Sequence, residues 1–478
     1  MESPRRPWRV VLLAIALASA CSSQEAPRSV VLITVDTLRA DHLSGMGYER
    51  KTTPALDVFA RRGTRFDWAF STCSYTVPSH ASMMVGRYSS FHSAGLLNGQ
   101  QRLLATETTL AEILRDAGWR TAAIVSNAVL GSGSGFEQGF ERFDDELPDR
   151  ELVRRMPERR AHAAVDRAIA QIRSFGDQPY FLWLHLQDPH GPYTPPASTP
   201  GFASSEEVPG GDRRLPVGRD FSGYGAIPAY QVVGSERRYS DYRDRYDREI
   251  RTVDLELARL FGSLEGAIGQ GRMLVIFTAD HGEAMGEDGF FFSHGHSVGL
   301  DQVHVPLFFV GGGVAAGRRV PVPVSNMSVF ATVLEFLGQS LPERIQAPGL
   351  FASLVSGEAP PAGPVYTESH TQRGIAAAGH YLRRDRRPAT DTDFWRVSPI
   401  SDGTIVPLGR ELSRLRPRGG HARRPLGEAT SLVTGLERRL DAFARSAEEA
   451  LGFHRARARP RELDPALREE LRALGYAH

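Results

Sequence analysis

The run Val30-Val-Leu-Ile-Thr-Val35, closed by Asp36, decides how the rest of the chain is read. Its apolar and β-branched residues show no alternation of inward and outward faces, the pattern of a strand covered on both sides in a parallel sheet. The stop at Asp36 matters as much, because ligands of an open parallel sheet gather beyond the carboxyl ends of its strands.

Working outward, Leu110, Ile113, Leu114 and Ala117 fall at helical spacing, Gly118 stops them, and an apolar run follows over 121–125. A second helix carrying Val165, Ile169 and Ile172 leads through Gly176 to a strand over 180–186. Tyr246, Ile250, Val253 and Leu257 mark a long helix, and runs over 273–278 and 305–310 read as two more buried strands. Such alternation predicts an α/β fold, a mostly parallel sheet sandwiched by helices. Residues 195–230 are rich in Gly, Pro and Ser with little periodicity and predict a surface excursion near the mouth of the site. A Gly/Pro-rich stretch over 356–364 divides a large domain, 28–355, from a smaller C-terminal part, 365–478.

With 478 residues, 41% hydrophobic content and a formal charge of +1, the chain can bury a large core and offers no excess charge for a nucleic-acid partner. Lys51 is its single lysine, so arginine clusters such as 383–387 read as coding bias and a solvated face. Arg5, Arg6 and Arg9, an apolar run over 10–17, and Ala18, Ser19 and Ala20 directly before Cys21 form a signal peptide. Cysteine at that point resembles the lipobox of bacterial lipoproteins, although Ala18 stands where leucine is usual. Residues 1–21 are therefore expected to direct export and lipidation at Cys21, anchoring the chain to a membrane of the bacterial cell envelope, facing the periplasm or the cell surface. Cys73, the other cysteine, would then have no disulfide partner.

Three strand ends deliver polar residues to one edge of the sheet. Asp36 ends the first, His185, Asp188 and His190 lie along and beyond the second, and Asp280 and His281 end the third within Thr278-Ala-Asp-His-Gly-Glu283. Clustered carboxylates repel unless a cation or proton intervenes, so one divalent cation is the economical explanation.

The run Leu32-Ile-Thr-Val-Asp36-Thr-Leu-Arg-Ala-Asp41, the segment Thr76-Val-Pro-Ser-His-Ala-Ser82 through Gly86-Arg87-Tyr88, and Asp280-His-Gly282 resemble the sulfatase family of the alkaline phosphatase superfamily in order and spacing. Asp188-Pro-His-Gly-Pro192, Tyr246-Asp-Arg-Glu-Ile-Arg-Thr-Val-Asp254 and Arg-Ala-Leu-Gly-Tyr476 fit as well. The resemblance implies an alkaline phosphatase-like fold with a smaller C-terminal α+β subdomain. Family sulfatases place a cysteine or serine, later oxidised to formylglycine, two residues before a proline and an arginine two residues after it. Here Pro78 sets the register, so Thr76 takes the nucleophile position and His80 that of the arginine, while Cys73 lies three residues too early.

The resemblance then implies Asp36, Asp280, His281 and Thr76 around a cation, calcium, magnesium, manganese and zinc not being distinguished, with Thr37 in place of a second aspartate. His190 and either His294 or His296 would hold substrate oxygens or protonate the leaving group, with His80 at the catalytic arginine's position. His185, Asp188, His294 and Arg87 are candidates for substrate binding, and Asp188 with His294 or His296 would form a second metal site if there is one. A threonine cannot form the aldehyde hydrate that expels sulfate, so Thr76 implies an ester intermediate suited to phosphoryl transfer. The expected activity is hydrolysis of a small-molecule or glycan sulfate or phosphate ester. The alternatives are an envelope transferase of the phosphoglycerol or phosphoethanolamine type, sharing the Thr76 intermediate, and a binding protein that has lost catalysis.

Overall fold

The computed structural model describes residues 28–94, 102–202, 212–219, 222–386, 410–416, 421–424 and 430–457. The signal peptide, Cys21 and the Arg-Ala-Leu-Gly-Tyr476 segment lie outside the described residues, as does part of the 195–230 excursion. Among the described residues, no helix is long and apolar enough to cross a membrane.

The large sheet has eight strands: β1 (Ser29–Val35), β2 (Gly63–Phe66), β3 (Arg120–Ile124), β4 (Arg142–Asp144), β5 (Tyr180–Leu186), β6 (Met273–Ala279), β7 (Leu307–Gly311) and β8 (Arg318–Val320). Their spatial order is β8-β2-β7-β6-β1-β5-β3-β4. Every residue of β1, β5 and β6 is buried, which is why these strands read as unbroken apolar runs. β1 pairs in parallel with β5 and with β6, so the ends of all three point the same way. β7 departs from the expected parallel strand: it runs antiparallel to both β6 and β2. The run over 305–310 is also not one strand. It divides at Pro306, which has no N–H to give a ladder, so His304–Val305 instead pairs with Ala69–Phe70 in a small separate sheet.

Four helices position the site: α1 (Thr76–Val85), α2 (Leu110–Asp116), α3 (Ala161–Phe175) and α4 (Tyr239–Gly269). All ten residues of α1 are buried. Pro78 is tolerated there because the first turn of a helix has no intrahelical partner for its N–H.

The C-terminal part is an antiparallel meander of five strands from Val365–Glu368 to His421–Arg424, with the helix Thr430–Arg457 laid over it. Val433, Leu436 and Leu440 of that helix close on Ile375, Leu382 and Leu412 of the meander. Glu368, which is buried, ties it to the turn that follows α1 by accepting from Ser89 Oγ at 3.0 Å and Ser90 Oγ at 2.7 Å, and is itself held by Arg373 Nε of the next meander strand at 3.0 Å. Arg383, Arg384 and Arg386 pair with Asp288, Asp441 and Glu448, so this basic run is spent on holding the meander in place.

Candidate active site

The ends of β1 and β6 and the first turn of α1 meet in a buried floor. Ligand atoms of Asp36, Asp280 and His281 all lie within 4.8 Å of one another. His281 Nε2 is 3.8 Å from Asp36 Oδ1, 3.4 Å from Asp280 Oδ2 and 3.1 Å from the Thr76 hydroxyl. Thr76 is the first residue of α1, so its hydroxyl sits at the positive end of a ten-residue helix.

Local bonds orient each of these groups. Asp280 Oδ1 accepts from the backbone N–H of Thr37 (3.2 Å) and of His281 (2.8 Å). Thr37 holds a left-handed backbone, φ 56°, which a β-branched residue adopts only under constraint from its surroundings. The Tyr246 hydroxyl supplies that constraint, donating to Thr37 O at 2.7 Å and accepting from Arg39 N at 3.0 Å. Gly282 is required for space, since a Cβ there would lie 2.1 Å from Asp301 O. His281 Nδ1 lies 2.9 Å from Gly282 O, which makes Nδ1 the donor and turns the Nε2 lone pair toward the carboxylates.

Electrostatically this floor suits a cation. Burial raises the pKa of Asp36, and burial together with the neighbouring Asp36 raises that of Asp280 further. Burial also pushes His281 down to about 3, keeping its imidazole neutral and able to act as a ligand. Asp36 Oδ1 and Asp280 Oδ2 are buried without a hydrogen-bond partner. Orphaned carboxylate oxygens facing a neutral imidazole are costly unless a cation or protons satisfy them, and two carboxylates, an imidazole and a hydroxyl are ligands for a divalent ion.

Above the floor is a mouth lined by imidazoles and aromatic rings. The His294 ring centroid is 4.5 Å from that of His281 and 5.2 Å from that of His190. His294 Nδ1 is 3.3 Å from Glu283 Oε1, and His190 Nδ1 is 2.8 Å from Gly191 O. Burial lowers His294 to about 4 and His190 well below its usual range, His294 adding to the latter effect. Tyr75 packs beside His294 at 6.0 Å and beside His370, brought in by the C-terminal meander, at 6.4 Å.

Five candidate residues have other places. His80 is fully buried beneath the floor, with Nδ1 2.9 Å from Thr76 O and Nε2 3.1 Å from Thr34 Oγ1, so it braces the turn that carries Thr76 and has both nitrogens engaged inside the protein. His185, also fully buried, backs the outer oxygen of Asp36 at 3.7 Å. Asp188 accepts from Arg160 Nη1 and from Ala161 N, both at 2.7 Å, anchoring the start of α3; with both oxygens engaged it supplies no second metal site. Arg87 pairs with Glu107 at 2.8 Å. His296 stacks on Phe290 at 4.5 Å, and it is His294 that joins the cluster.

Three residues escaped the sequence reading. Asn127 donates to Asp36 Oδ2 at 3.0 Å, Glu283 orients His294, and Arg154 reaches the mouth from a hairpin. Glu283 was visible in the run after Asp280, but nothing local marks Asn127 or Arg154.

Comparison with known proteins agrees with this architecture. The family profile described as Sulfatase matches residues 28–339. Arylsulfatase K of Rattus norvegicus is 24% identical over 441 residues, covering 83% of this chain and 76% of that protein. A phosphonate monoester hydrolase from Silicibacter pomeroyi superposes with a TM-score of 0.63 at 18% identity, covering 88% of this chain and 96% of the other. A structure solved in complex with its substrate D-glucosamine-2-N,6-O-disulfate superposes at 0.64 with 16% identity, covering 88% and 98%.

Proposed function

This chain belongs to the sulfatase family, and from that premise we propose that it is a cation-dependent hydrolase of sulfate or phosphate esters in which Thr76 is the nucleophile. The observation that carries the reading is the pair of orphaned carboxylate oxygens on Asp36 and Asp280 beside His281 Nε2, with the Thr76 hydroxyl 3.1 Å from that nitrogen. A divalent cation held by Asp36, Asp280 and His281 would supply Lewis-acid stabilisation of the negative charge that develops during transfer.

The chain's own residues account for the rest. Thr76 Oγ gives its proton to solvent and bonds to sulfur or phosphorus as the bond to the leaving alcohol breaks, its electron pair going to the alcohol oxygen, and water then hydrolyses the threonine ester and returns a proton to Oγ. His190 and His294 hold the leaving oxygen and pass it a proton; bound substrate, being anionic, raises their proton affinity at that moment. Glu283 fixes the His294 ring, and His80 fixes the carbonyl of Thr76. The family favours sulfate, while a plain threonine ester is cleared more readily at phosphorus. The substrate is a small molecule or glycan carrying such an ester.

The test is a turnover panel of aryl sulfate, phosphate monoester, phosphodiester and phosphonate monoester, each with manganese, magnesium, calcium and zinc. Turnover that needs both a cation and Thr76, with the group recovered on the Thr76 peptide after acid quenching, is the expected result. Undiminished turnover by Thr76→Ala would remove the mechanism.

A further inference from the structure

A centre that binds sulfate or phosphate esters gains from a fixed positive charge facing the non-bridging oxygens. His80 does not supply it, because both its nitrogens are bonded inside the floor.

Among the described residues, Arg154 is a basic group that the fold brings to the side of the mouth formed by His190 and His294. It sits at the tip of a small hairpin in which Asp149–Arg150 pairs with Pro157–Glu158. Glu158 in turn bridges Asn127, the residue that donates to Asp36, so the hairpin is tied to the floor. Leu152, Val153 and Arg155 around it are exposed, whereas the Arg154 side chain is folded back with 10% of its surface exposed. Arg155 takes φ 62°, a left-handed turn that lets the tip reverse.

The guanidinium is also pre-set. Glu151 accepts from its Nε at 2.7 Å and its Nη2 at 2.5 Å, and its carbon lies 4.3 Å from the Tyr230 ring centroid. Tyr230 lies 6.5 Å from His190, the next ring toward His294 and the floor. The charge of Arg154 reaches His190 and His294 of the mouth and, behind them, Asp36 and Glu283. A planar fork locked by a carboxylate and a ring matches tetrahedral oxyanions, which arginine binds with paired N–H groups.

We propose that Arg154 recognises the anionic group of the ester from the loop side of the mouth. The inference rests on the ester-hydrolase reading, but it is measured without turnover. A rival reading of the same geometry is that Arg154 only offsets the buried Asp36 and Glu283.

Calorimetric titration of manganese-loaded protein with inorganic sulfate and with inorganic phosphate separates the two. Arg154→Met should weaken binding of the preferred anion at least tenfold, Arg154→Lys should recover part of it, and guanidinium ion should restore affinity to Arg154→Met. Melting curves of both variants show whether they are folded, and Arg154→Lys carries the test if Arg154→Met is not. Anion affinity within twofold of wild type in a folded variant, together with tighter manganese binding, would overturn the proposal in favour of the rival; so would a manganese-loaded wild type that binds neither anion. Anion binding through Arg154 in a protein that turns over no ester would sink the hydrolase reading alone.

Discussion

The floor and the mouth of this site are built in opposite ways. Asp36, Thr76, Asp280 and His281 stand at the ends of β1 and β6 and at the start of α1, elements with buried residues throughout. Arg154, Tyr230, His190 and His294 stand on turns, hairpins and the surface excursion. The floor is thus fixed by the core and has little freedom to vary, while the mouth depends on a few side-chain bonds such as Glu151 to Arg154. On the proposed reading, bond-making at Thr76 belongs to the first region, and leaving-group protonation and substrate choice to the second, as expected when catalytic groups sit on a rigid scaffold and specificity on loops.

The hardest test of that division is removal of the floor's own groups. Thr76→Ala and Asp280→Asn should each lower kcat/KM by a factor on the order of 10³ or more, and a chelator should abolish wild-type turnover until a divalent cation is returned. Steady-state kinetics before and after chelation check this. Turnover that survives both substitutions would place the chemistry elsewhere.

His80→Ala probes whether a floor residue behaves as a brace or as a ligand. Loss of a buried ring that bonds Thr76 O and Thr34 Oγ1 should cost roughly 2–3 kcal/mol of stability and lower kcat by roughly tenfold, with sulfate and phosphate affinity within twofold. Urea melts and calorimetry read the two effects separately. If anion affinity fell as far as in Arg154→Met, the boundary drawn between floor and mouth would be wrong.

A smaller effect is expected at Tyr230. Removing the ring beneath Arg154 in Tyr230→Leu gives up a cation–π contact worth about 1 kcal/mol, or about fivefold in anion affinity, whereas Tyr230→Phe keeps the ring face and should stay within twofold. Equal losses in the two variants would assign the contribution to the hydroxyl, which donates to Phe292 O at 3.3 Å.

How far the sequence could be read follows the same division. Strands covered on both faces announce themselves as unbroken apolar runs, so β5 was placed over its true bounds and Asp36 and Asp280 were found at strand ends. Thr76 was legible because Pro78 set its register. The failures needed knowledge of three-dimensional partners: His80 turns inward because its helix is buried on every side, and Asp188 caps α3 although 27 residues separate it from Ala161. Arg154 left no local sign, since exposed Leu152 and Val153 precede it in an arginine-rich chain. Pro306 was a visible signal that the run over 305–310 could not be one strand.

The faintest effect on activity is expected at a histidine outside both regions, which tests whether the neutral imidazoles of the mouth owe their state to burial alone. His304 is buried against Trp68 at 4.4 Å, with Nε2 donating to Asp67 O at 2.9 Å, and burial pushes its pKa down to about 4, as it does for His294. Between pH 6.5 and about 4 the unfolded chain binds a proton here that the folded chain refuses. The stability His304 contributes is therefore whole above pH 6.5, falls as the pH drops, and levels off below about 4. By pH 5 the loss from this group should reach about 2 kcal/mol, at 1.36 kcal/mol for each pH unit over which only the unfolded state is protonated. His304→Gln removes the titration, so the stability gap between wild type and variant, read by urea melts from pH 7.5 to 5, should shrink by that amount while kcat/KM at pH 7.5 stays within twofold. A gap that does not change with pH would mean that burial does not hold imidazoles neutral in this fold, and the neutrality of His190 and His294 would then need a cause particular to the mouth.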